Sequence, residues 1–166
     1  MYLWGVHLCP SYQAHEPVVL DHALRQLAME VSYNADRNRI IQTIQAEVLL
    51  AMYFFRNNYF VEAEFHTTGA VSLTLSHNLH KFRSAKHVDS SLLGGAGRRD
   101  IYPTPPSDAI EQGECINGFW TVFCLERMMR LAFRQACSSF GFLESPFDEI
   151  DTPWPLDMAD YSKVRS

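Results

Sequence analysis

Between Arg37 and Arg56 the chain reads RNRIIQTIQAEVLLAMYFFR, and this stretch limits the fold more than any other. Ile40, Ile41, Ile44, Val48, Leu49, Ala51, Phe54 and Phe55 follow a helical period. The second half is apolar all round, so a helix here needs partners on more than one side. Val48 to Phe55 alone has the length of a buried strand. The longer periodic segment and the strand-averse Gln45-Ala46-Glu47 favour a helix. Asn57-Asn58 then predicts a tight turn, and so short a connection makes the next helix antiparallel.

That next helix is expected from about Phe60 to Leu79. Val61, Phe65, Thr68, Ser72, Leu75 and Leu79 form one stripe, with Ala63, Gly69 and Ala70 giving small surfaces elsewhere. A glycine within a helix costs about 1 kcal/mol against alanine. Gly69 therefore implies close helix–helix approach, with a kink as the alternative.

Upstream, Met1 to Leu8 is apolar and uncapped, and reads as the last two turns of a helix ended by Cys9-Pro10-Ser11. Pro17 suits the first turn of a second helix. There Leu20, Leu24, Leu27 and Val31 share a face, while His22, Arg25, Gln26 and Glu30 face elsewhere. The helix runs to about Tyr33, with a turn at Asn34-Ala35-Asp36.

Downstream, Glu111 to Arg127 reads EQGECINGFWTVFCLER. Ile116, Phe119, Trp120 and Phe123 lie on one helical face. If that face is core, Trp120→Ala costs about 3–5 kcal/mol. Arg127 ends the face and is placed to close over Trp120 or Phe123, or to meet a carboxylate. Glu126 and Arg130 read as an exposed i,i+4 pair worth about a few tenths of a kcal/mol. Asp108 or Ser107 is the expected N-cap. Met128 to Phe133 continue the helix.

Charge and composition narrow the classes. The net charge of −5 and pI near 5.8 argue against a chain-wide nucleic-acid footprint. The 47% hydrophobic content supplies a core of one domain's size. Cys9, Cys115, Cys124 and Cys137 show no C-x-x-C spacing, which excludes a zinc finger or binuclear cluster here. They read as reduced, intracellular and mostly buried. Met1 is not followed by the pattern of a secretory signal, and no apolar run is long enough for a bilayer.

His77, His80 and His87, with Glu62 and His66 upstream, form the one metal-like grouping. They read as surface and helix-end histidines, because His87 falls in a loop and His66 lies three turns away. Residues 83–107 read as a long exposed loop. Its Gly94-Gly95-Ala96-Gly97-Arg98-Arg99 lacks the G-K-[ST] ending of a phosphate loop. No catalytic constellation assembles: Glu111, Glu114 and Glu126 read as helix surface. The catalytic, cofactor-binding and metal assignments are all none.

Four stretches carry a resemblance. Phe119-Trp120, Phe123 and Glu126-Arg127, with Glu114 and Ile116 before them, resemble the F-W-x-x-F-x-x-D/E-R stretch of the fungal-specific transcription factor regulatory domain. This is the middle homology region downstream of the zinc binuclear cluster. Cys115 is a departure, standing where relatives often carry Arg. QAEVLLAMYFF (45–55) resembles that domain's buried second helix. Gly69-Ala70 through Leu79-His80-Lys81 resembles its G-x-A…L-x-L-H-R helix end. DEIDTPWP (148–155) resembles its acidic, proline-rich strap, here spanning about 146–157 and pinned by Ile150, Trp154 and Leu156. Residues 134–145 depart from the pattern.

The resemblance implies an all-α fold, either a multi-helix antiparallel bundle or an irregular α-superhelix, truncated because the family domain continues further. Tyr161 to Ser166 is expected to end without structure. It also implies a non-catalytic regulatory role in the nucleus, with protein partners or co-regulators and a small-molecule inducer. DNA and zinc would belong only to a separate upstream module absent from this chain. A helical interaction scaffold unrelated to DNA-binding regulation is the alternative, supported equally by composition.

Overall fold

The computed structural model describes residues 2–30, 37–83, 106, 108–133 and 150–163. Among the described residues there are six α-helices: α1 Tyr2–Leu8, α2 Glu16–Glu30, α3 Arg37–Arg56, α4 Phe60–Ser76, α5 Ala109–Phe133 and α6 Met158–Lys163. Single 3-10 segments lie at Pro10–His15 and Leu79–Lys81. The described residues contain no strand, so the class is all-α. None of their helices is long and apolar enough to cross a membrane.

α3 spans the range its periodicity predicts. Ile41, Ile44, Val48, Leu50, Ala51 and Phe54 are buried, which is the multi-sided burial expected of a helix apolar all round. The turn at 57–58 puts Asn58 at φ 63°, a left-handed conformation that Asn tolerates better than most residues. There the Tyr59 N–H donates to the Phe54 carbonyl at 2.9 Å. α4 then runs back antiparallel along α3. Phe55 meets Phe60 and Phe54 meets His66, while Glu47, deeper in α3, lies beside Gly69.

The face by which α4 packs is not the stripe expected. Val61 is 79% and Phe65 72% exposed. The buried residues are Ala63, His66, Thr67, Ala70, Val71 and Thr74. The packed face is thus the one that carries the smaller side chains Ala63, Thr67, Ala70 and Thr74. The buried hydroxyls of Thr67 and Thr74 are satisfied within the helix, each donating at 2.8 Å to the carbonyl four residues back. α4 ends at Ser76 rather than near Leu79, and Asn78 turns left-handed at φ 54°.

α5 lies across both helices. Its core side is Cys115, Ile116, Phe119, Val122, Leu125 and Met129, with Phe119 completely buried. Trp120 and Phe123, expected on that face, are half-buried at its edge. Asp108 is the N-cap: its Oδ1 accepts the Glu111 N–H at 2.8 Å.

α1 and α2 cover one flank of α3. Leu20, Leu24 and Leu27 of α2 rest against the core, and His22, Arg25 and Gln26 are exposed, as their spacing predicts. Val31 to Asp36 lie outside the described residues, as do nearly all of the loop expected at 83–107 and the whole of 134–149. Residues 150–157 are non-helical, consistent with an extended strap. Of the stretch from Tyr161 to Ser166, residues 161–163 belong to α6, with Tyr161 buried against α5, while 164–166 lie outside the described residues. A Cβ on Gly113 would lie 2.6 Å from Cδ2 of that ring, so only glycine admits it.

Candidate functional site

Among the described residues, three clusters of polar side chains are built into the packing. The first is the α3–α4 seam. Glu47 and His66 are both buried, and His66 Nδ1 lies 2.6 Å from Glu47 Oε2. A carboxylate only accepts, so Nδ1 of the imidazole donates here. The ring of His66 also stacks on Phe54 with centroids 5.3 Å apart. Gly69 completes the seat, since a Cβ there would stand 3.1 Å from Glu47 Oε1. The glycine's reason is thus close approach, and the neighbour is a carboxylate rather than a helix backbone.

The second place joins the N-terminal helices to α3. Glu16 Oε1 accepts from the Tyr53 hydroxyl at 2.6 Å and lies 2.8 Å from His7 Nδ1. Trp4 Nε1 donates to the Leu49 carbonyl at 3.1 Å, and the rings of Trp4, His7 and Tyr53 meet edge to face. The Tyr53 and His7 bonds hold the Glu16 carboxyl below its ordinary value, against a smaller opposing effect of burial. Burial first, then the Glu16 bond, raises the Tyr53 phenol above its ordinary value. Chemically this is a clasp in which the Glu16 carboxylate accepts from the Tyr53 hydroxyl.

The third place is the edge of α5. Trp120 Nε1 donates to the Pro153 carbonyl at 2.7 Å, and its indole stacks on Trp154 with centroids 4.1 Å apart and planes 12° from parallel. Arg127 lies over the Phe123 ring, its guanidinium carbon 5.0 Å from the centroid, as the helical spacing predicts. Glu126 is not the exposed partner expected. It is 2% exposed, and Arg127 and Arg130 approach it at 3.7 and 4.0 Å. Leaving out the masking solvent makes such a pair worth more than a surface one, and its desolvation costlier too.

The histidines also need correction. His66 and His80 are buried rather than on the surface. His77 does sit at the α4 terminus, where Nδ1 donates to the Leu73 carbonyl at 2.9 Å. His87 is outside the described residues, as is the glycine-rich Gly94–Arg99 segment. Among the described residues no group of three His, Cys, Asp or Glu side chains is arranged to hold a metal. Of the cysteines expected to be mostly buried, Cys115 is buried, Cys9 half-exposed and Cys124 exposed.

Sequence reasoning missed the clasp entirely, because its residues are scattered over three elements at no diagnostic spacing. It also missed the Glu47–His66 pair. A signal existed there: a lone carboxylate amid the apolar half of α3 requires a buried partner.

No protein-family profile, no curated protein and no solved structure matches this chain.

Proposed function

We propose that the chain is a non-catalytic regulatory domain of a fungal transcription factor, controlling the output of a separate DNA-binding module in the nucleus. The observation that carries this is the joining of the resembling stretches. Trp120, from the F-W-x-x-F stretch, is bonded and stacked to Pro153 and Trp154 of the strap. The stretch at 45–55 packs against α4 and α5 in the same core. Stretches that occur in family order along the chain are thus also neighbours in space. The acidic charge fits a domain that leaves DNA and zinc to another module. Its work would be done through co-regulator proteins and a small-molecule inducer, by biasing an arrangement of these helices.

A reporter assay tests this. The chain is placed between a heterologous DNA-binding module and an activation segment. Reporter output is expected to fall several-fold against the same fusion lacking the chain, at equal protein level. Unchanged output overturns the proposal.

The alternative, a helical interaction scaffold unrelated to DNA-binding regulation, draws on one observation: Val61 and Phe65 leave an apolar strip of α4 exposed. Loss of a co-purifying partner on Val61→Ser/Phe65→Ser, with reporter output unaffected by the chain, favours the scaffold.

A further inference from the structure

Residues 150–157 are bound to the helices much as a peptide ligand is bound. The segment is non-helical, and Pro153 and Pro155 keep it extended, with Thr152 and Trp154 restricted by the proline that follows each. Its attachments are directional. The Asp151 N–H donates to the His80 carbonyl at 3.0 Å, and the Thr152 hydroxyl donates to the Leu79 carbonyl. The Asp151 carboxylate accepts the Arg83 N–H at 2.9 Å. The Pro153 carbonyl accepts from Trp120, and Trp154 lies flat on the Trp120 indole.

The receiving carbonyls of Leu79 and His80 lie in the 3-10 segment that follows α4. The strap buries little of itself in return. Thr152 is inserted, while Trp154 is 75% and Leu156 54% exposed. A segment held by main-chain bonds, one hydroxyl and one stacked ring follows the logic of extended-peptide recognition, where main-chain bonds give affinity and a few side chains give specificity.

We infer that the turn at 79–83 and the Trp120 edge of α5 form a recognition seat for an extended peptide of the pattern Asp-Thr-Pro-Trp, occupied in cis by residues 150–157. The pattern follows from the contacts. An acidic side chain reaches the Arg83 N–H, a hydroxyl reaches the Leu79 carbonyl, and a proline leaves no N–H to satisfy. A planar aromatic then caps Trp120. A partner carrying this pattern in an extended segment makes the same bonds, and it must displace the resident strap. The strap, being tethered, competes at an effective concentration on the order of millimolar.

The test is fluorescence polarisation with a labelled peptide, Ile-Asp-Thr-Pro-Trp-Pro-Leu-Asp, on the full chain. In the chain carrying Thr152→Val and Trp154→Ala the resident strap is weakened and the seat is intact. That chain is expected to bind at least 10-fold more tightly than the unaltered one. Adding Trp120→Phe, which keeps a ring but removes the donor to Pro153, is expected to lower that binding at least 5-fold. A peptide with the same Thr and Trp changes is expected not to bind. If the double variant fails to fold, Trp154→Ala alone serves, since its ring is mostly in solvent, and tighter binding is expected there too. Equal binding by folded strap-weakened and unaltered chains overturns the inference, as does equal binding of the altered peptide.

Discussion

His66 Nδ1 donates to the Glu47 carboxylate across 2.6 Å in the α3–α4 seam, with both side chains shut away from solvent. Removing one partner strands the other in a low-dielectric site. His66→Ala is therefore expected to cost about 3–5 kcal/mol, and Glu47→Gln, which still accepts a hydrogen bond, markedly less. Urea denaturation measures both. A His66→Ala loss under about 1 kcal/mol would mean the pair contributes little.

Gly113 faces the ring of Tyr161 where an added Cβ would stand 2.6 Å from Cδ2 and 2.8 Å from Cγ. Those atoms are near the root of the ring, so α6 as a whole must move. Gly113→Ala is expected to be destabilising despite alanine's helix propensity, which alone would gain about 1 kcal/mol. The check is a thermal melt alongside protease cleavage after 157. A stabilised, protease-resistant variant would contradict the packing.

On α5 the order of two substitutions is the discriminating quantity. Phe119 is fully buried, so Phe119→Ala is expected to cost about 3–5 kcal/mol. Trp120 is half-buried beneath the strap and is expected to cost less, with altered fluorescence from its stacked partner Trp154. Equal losses at the two positions would place Trp120 in the core instead.

The clasp sets a pH dependence. The folded-state value of Glu16 lies below its ordinary 4.5, so the clasp stabilises the fold above that value. This contribution is lost as pH falls below about 4.5 and through the lower folded-state value. Tyr53 runs the other way: its value is raised, so its contribution is present below about pH 10 and lost above it. Glu16→Gln is expected to flatten the acid limb of a stability-against-pH curve. An unchanged acid limb would remove Glu16 from the account.

Legibility in the sequence followed the physics of each element. The bounds of α3 were readable because its apolar residues are large and dense, and Asn57-Asn58 marked its end. α4 was readable as a helix but not by its face: hydrophobicity selects Val61 and Phe65, while close packing selected Ala63 and Ala70. The burial of Glu126 was hidden by its neighbours, since an i,i+4 Glu–Arg pair looks the same on a surface. Tyr161 gave no periodic signal because α6 is 6 residues long. In the site, the Arg127–Phe123 contact is one of the three that the helical spacing allows. The clasp of His7, Glu16 and Tyr53 joins residues up to 46 positions apart, and only tertiary packing creates it.

The regulatory reading has a direct test outside the protein itself: the sequence of the mature transcript across this locus. The account predicts an open frame continuous with Met1 and upstream of it, encoding two C-x-x-C-x6-C half-motifs of a zinc binuclear cluster. A mature message whose coding frame begins at Met1 would contradict the account, because the chain would then have no such DNA-binding module to regulate.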